Sequence, residues 1–183
     1  MKDQRTGYGE VWTAKKLALL KKKEVMEIWS CLPAPEFSEM DGEFEAQILD
    51  QGPVTSRLSR AVLDMPLLHG KWLGKAFTPA GKNIGHGYNA FLTLGKVKRK
   101  YRMRTEICPS LFDGRDVFAL VYDAFDSLCG RIHMRDEVRK LDRGVYLGVG
   151  TWGFTKRMRE KTLPFVLTGP IGPFAGPDRE ETK

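Results

Sequence analysis

The side chains able to move a proton or hold an oxyanion cluster in three short stretches: "YRMRTE" with Arg104, "VYDAFD" with Tyr122 and Asp123, and "RIHMRDE" with His133. A histidine titrates near neutral pH, and His133 stands close in sequence to Asp136 and Glu137. A carboxylate such as Asp123 acquires the same range when burial raises it. His133 or Asp123 as base and Tyr122 or Arg104 as oxyanion holder is the minimum set for cofactor-independent isomerisation, cyclisation or dehydration. A strand histidine also serves as an ordinary structural or surface residue, so the set is a candidate.

A second set suits binding. In "HGKWLGKAF", two glycines flank Trp72, and glycine in a strand marks a bend, a bulge or a close approach of backbone. Read with period two, Trp72 shares a face with Gly70 and Gly74, and Lys71, Leu73 and Lys75 point the other way. A sheet curved in this way tends to close into a barrel, which fills with side chains or holds one ligand. Trp72, Tyr122 and Trp152 would wall such a cavity, and Arg104 or Arg139 would anchor an acidic or oxygenated head by a bidentate contact. The alternating Arg and Glu rows, 102/104/106 and 135/137/139, line either the interior as pairs or the exterior as an ion-pair lattice.

Other chemistries lack a signature. His69, His86 and His133 do not have zinc-site spacing, and no HExxH, GxSxG, P-loop or strand-following GxGxxG occurs. No cofactor and no metal is therefore expected. Cys31, Cys108 and Cys129 are odd in number and widely spaced, which reads as reduced thiols and a cytoplasmic setting. The start, "MKDQRTGYGEVW", has no apolar h-region, so no secretory signal is expected. The 30 Lys and Arg against 23 Asp and Glu give a net charge of +7. That permits nucleic acid, an anionic membrane or an anionic small molecule. The densest basic run, "GKVKRKYRMR", could follow phosphates, but lysines also protect a strand edge, so nucleic acid is disfavoured.

The elements that must position these residues follow from periodicity. Residues 11–32 carry apolar residues at three- and four-residue steps with lysines on the remaining face, which predicts one amphipathic helix ended by Pro33 and Pro35. Such a helix packs on its own domain or makes a peripheral membrane contact. "SRLSRAVLDMPLL" predicts a short helix. "MDGEFEAQIL" and "LHGKWLGKAF" share one pattern and read as paired strands, and alternating segments dominate from residue 87 onward. The expected layout is a flexible 1–10, a single mainly-β barrel domain over 11–168 with its N-terminal helix, and a Pro/Gly-rich tail over 169–183.

The motif Gly70-x-Trp72-x-Gly74 gives a more specific expectation. With the "LPAP" segment after a helix, "MDGEFEA", "RMRTE", "VYD" and "RDEVRKLDRGVYLG", the chain over roughly 25–155 resembles the GXWXG-motif family of small bacterial proteins. G-x-W-x-G also opens lipocalin-like and nitrobindin-like barrels. The resemblance implies a lipocalin-like antiparallel β-barrel, with Trp72, Arg104, Tyr122, Asp123 and Arg139 on its recurring polar or aromatic positions. A nitrobindin-like haem site would need a histidine near the end of the barrel, and none follows His133. The resulting expectation is binding of a small amphipathic molecule, fatty-acyl, isoprenoid or polyketide-like, in a barrel cavity. The alternatives are an enzyme acting on such a ligand and a basic module for membrane or RNA.

Overall fold

The computed structural model describes residues 11–52 and 70–179. Eight antiparallel strands follow one another round a closed barrel. They are β1 (Gly42–Ile48), β2 (Lys71–Pro79), β3 (Ile84–Thr93), β4 (Lys96–Pro109), β5 (Asp116–Val121), β6 (Arg135–Asp142), β7 (Val145–Thr151) and β8 (Leu163–Gly172). The mainly-β barrel expected from the alternating segments is the observed architecture, and β1 and β2 pair as their shared pattern suggested. The 1–10 segment, His69 and the "SRLSRAVLDMPLL" helix lie outside the described residues.

Closure comes from β8, which pairs with β1 from Ile48↔Phe165 to Glu43↔Gly172. The expected tail boundary after residue 168 is therefore too early, because Gly169–Gly172 still belong to the closing strand. Glycine and proline suit that strand end, where few ladder donors are needed. Phe174 and Asp178, further along the tail, lie against the outer face of β3 and β4. Phe174 lies 5.0 Å from the Tyr88 ring, and the Asp178 N–H donates to the Arg99 carbonyl at 2.9 Å.

The single helix expected over 11–32 is two pieces, α1 (Ala14–Leu17) and α2 (Lys22–Cys31). A straight helix of that length would run about 33 Å, and a straight rod touches a curved barrel only briefly. The break is held by polar contacts at the restart: the Lys21 N–H donates to Glu24 and the Lys22 N–H to Asp50. Leu19 is left in solvent at the bend. Leu17, Val25 and Trp29 are all buried against Val117, Ala119, Val121, Leu147 and Val166 on the barrel's outer wall. The apolar stripe that a membrane contact would use is thus spent on the barrel.

Because the helices cover this wall, β5 is buried on both faces: Val117, Ala119 and Val121 point outward and Phe118, Leu120 and Tyr122 inward. Inside, Phe37 and Met40, on a 3₁₀ turn (Phe37–Glu39), plug one end over Phe44, Phe77 and Phe118. Phe37 and Phe118 are 5.3 Å apart, and Phe77 and Phe118 are 5.2 Å apart. The opposite end is less tightly filled, and the site lies there. Among the described residues, no helix is long and apolar enough to cross a membrane.

Candidate functional site

The site begins with the two glycines around Trp72. A Cβ on Gly74 would overlap the Phe44 carbonyl oxygen across the β1–β2 pair, and Gly70, at φ +81°, lies as close to Leu92. The strands therefore approach where a side chain would hold them apart. Between Trp72 and Gly74 the register with β3 slips: Trp72 opposes Phe91, yet Gly74 opposes Ala90. This bulge breaks the two-residue alternation and re-aims the strand. Trp72 and Lys75, expected on opposite faces, both point inward.

A buried polar group forms around Lys75. Its Nζ lies 2.8 Å from Asp136 Oδ2, and it donates to Asn89 Oδ1 at 2.8 Å and to the Tyr122 hydroxyl at 2.6 Å. Asn89 Nδ2 donates to the same hydroxyl at 3.0 Å, and Tyr122 donates onward to Asp136 Oδ2 at 3.0 Å. The Trp72 indole N–H donates to Asn89 Oδ1 at 3.2 Å. Lys75 and Asp136 are only 3% and 4% exposed, so their desolvation is offset by the ion pair and by the hydrogen bonds to Asn89 and Tyr122. Burial, and next the Asp136 carboxylate, push the Tyr122 phenol well above its ordinary range and keep it a donor.

This group forms the polar floor of a cavity of about 80 Å³. Trp72, Phe91, Tyr101 and Phe165 supply aromatic wall, with Trp72 edge-on to Phe165 at 5.7 Å. The connection between β5 and β6 contributes Cys129, Ile132 and Met134, and Leu128, 44% exposed, stands at the rim. Gln51 closes the side next to β8, its Nε2 donating to the carbonyls of Leu49 and Pro164.

Few of the residues singled out from sequence meet here. Trp72 lines the cavity, and Tyr122 lies behind its floor. Arg139 does not line it. It lies on the outer face of β6, bidentate to Asp113 at 2.6 and 2.8 Å, with its guanidinium 4.0 Å from the Trp29 ring. Arg104 is on the outside, paired with Glu106 at 3.4 Å. Trp152, half-buried after β7, is not among the lining residues. His133 and Asp123 are both exposed, and the His133 ring packs against Phe154 at the surface. A base and oxyanion pair built on them has no enclosed substrate to act on. The connection that carries them is a turn and a short helix (Leu128–Arg131), and β6 begins only at Arg135, so strand alternation does not apply to His133.

The Arg/Glu row of β6 resolves as exterior but buried. Glu137 accepts from Ser110 at 2.6 Å and from the Leu111 N–H at 2.9 Å, tying down the β4–β5 turn. The opposite row, Met134, Asp136 and Val138, faces inward. Asp136, Lys75, Asn89 and Gln51 were the residues missed. The available signal was Asp136, one acid in an otherwise apolar alternate row. None of the three cysteines forms a disulfide; Cys129 is buried at the cavity and Cys31 is exposed. Among the described residues no three His, Cys, Asp or Glu side chains are grouped to hold a metal ion.

Neither a family model nor a curated protein matches the chain. It is similar to the crystal structure of a protein from Thermomonospora curvata, with a TM-score of 0.56 over 81% of this chain and 87% of that one. The two are 17% identical, so the likeness extends to the barrel fold alone.

Proposed function

We propose that this barrel binds a small molecule with an apolar body and one hydrogen-bonding head, seated at the Trp72 end. The observation that carries the reading is the cavity itself, an aromatic and aliphatic wall with its polar atoms gathered at one place, the arrangement that orients a mostly apolar ligand. About 80 Å³ takes a short body or the end of a longer one, with the remainder passing Leu128 at the rim. Fatty-acyl and isoprenoid compounds fit that description, and so does the resemblance to the lipocalin-like GXWXG proteins.

Simple binding is favoured over proton-transfer chemistry by the placement of the carboxylates. Among the described residues Asp136 is the one carboxylate lining the cavity, and it is already engaged by Lys75 and Tyr122. The test is tryptophan fluorescence during titration with short- and medium-chain alcohols, acids and isoprenoids. A saturable change that disappears in Trp72→Phe supports the reading. No saturable change with any compound removes it.

A further inference from the structure

The hydrogen-bonding capacity left open at the cavity floor is unequal. Lys75 has three N–H donors, and Asn89, Tyr122 and Asp136 take all three. Asn89 Nδ2 is committed to the Tyr122 hydroxyl and the Tyr101 carbonyl, the Trp72 indole to Asn89, and the Tyr122 hydroxyl to Asp136. Thr151 donates to the Arg135 carbonyl. These donors, on Lys75, Asn89, Trp72, Tyr122 and Thr151, are therefore used within the protein.

Two acceptors are not. Asp136 makes its contacts through Oδ2, and among the described residues nothing donates to Oδ1. Gly150 packs close against that oxygen, since a Cβ there would lie 2.7 Å from it. Gln51 is 4% exposed, and among the described residues its Oε1 has no partner. The amide orientation is fixed, because Nε2 faces two carbonyl oxygens and only an NH₂ can donate to both. The two acceptors belong to one side of the cavity. Gly150, beside Oδ1, pairs with Leu163, and Gln51 binds the next residue, Pro164. A buried acceptor without a donor costs free energy that a ligand donor recovers.

We infer that the head of the ligand is a neutral hydrogen-bond donor, an alcohol or a phenol, whose O–H is received by Asp136 Oδ1 or Gln51 Oε1. This deepens the binding reading and rests on it. A carboxylate head finds Lys75 already paired and meets Asp136 as a like charge. A ketone brings an acceptor to acceptors. An alkylammonium adds a second cation beside Lys75, whose Nζ already lies 5.2 and 5.5 Å from the Trp72 and Phe165 rings. Of the acidic or oxygenated head expected from sequence, this keeps the oxygenated one and moves its anchor from the arginines to these acceptors.

The experiment compares 1-hexanol, 2-hexanone, hexanoate and hexylamine on the unmodified protein, reading the indole N–H signal of Trp72 by NMR, assigned with Trp72→Phe. The alcohol should bind about tenfold or more tightly than the ketone and the acid, from the cost of an unpaired polar group, and more tightly than the amine. Gln51→Met should shrink the alcohol-to-ketone ratio while hexanone affinity holds. Equal or tighter binding of the ketone, acid or amine overturns the donor-head assignment and leaves cavity binding standing. A Trp72 signal that none of the four moves removes both.

Discussion

Substituting Lys75 by Met should expose how much the fold depends on the buried Lys75–Asp136 ion pair inside the barrel. The change removes three hydrogen bonds and leaves Asp136 with one donor, the Tyr122 hydroxyl at 3.0 Å. Breaking one side of a buried pair costs about 3–5 kcal/mol, mostly from the uncompensated charge. Against a typical total of about 5–15 kcal/mol, that is a large share. Asp136→Leu should cost a similar amount for the mirror reason. The double variant removes both charges and leaves the Tyr122 hydroxyl as the stranded donor, for about 1–3 kcal/mol. Two single costs of at least about 3 kcal/mol against at most about 3 for the double give a coupling of about 3 kcal/mol or more. Urea unfolding followed by far-ultraviolet circular dichroism, with an unchanged slope, measures all three. Additivity within about 0.5 kcal/mol, or a Lys75→Met cost below about 1 kcal/mol as for an exposed pair, would refute the reasoning.

Gly74→Ala should destabilise by more than about 3 kcal/mol because its methyl meets the Phe44 backbone, whereas Gly81→Ala, with open space around it, should be near neutral by the same unfolding assay. Arg139→Lys should cost about 2 kcal/mol, losing the bidentate grip on Asp113 and the stacking on Trp29, yet leave ligand affinity unchanged in titrations. The hydrogen bonds from Arg139 hold the Asp113 carboxyl below its ordinary value of 3.8. That contribution is present above this value and lost as pH falls through the lowered one, so stability of the unsubstituted protein should drop more steeply below about pH 4 than that of Asp113→Asn. His133→Ala and Asp123→Asn should each leave ligand affinity within about twofold, since both side chains are exposed.

The barrel was legible because its signals are local. Alternation in β3, β4, β6 and β7 and the glycine-bearing turns are properties of short windows, and they survive into the structure. The interior was not legible, because one inserted residue at the Trp72–Gly74 bulge brings Lys75 to the inner face together with Trp72. Nothing in the spacing announces that slip. The helix break has a similar origin, since Asp50, which holds the restart at Lys22, is 28 residues away. Arginine drew the search for a polar anchor, and the structure uses Arg139 to fasten α2 to the wall. A lone Asp among Met134 and Val138 was the better guide, as a charge in an apolar row must find partners inside or be lost to the fold.

A crystal structure with the tightest-binding alcohol tests the central claim most directly. The account places the hydroxyl within about 3.2 Å of Asp136 Oδ1 or Gln51 Oε1, with the carbon chain among Trp72, Phe91 and Phe165 and Lys75 still paired with Asp136. Density for the compound outside the barrel, on the Lys-rich face of α2 or beside His133, with the cavity side chains unmoved, would contradict it.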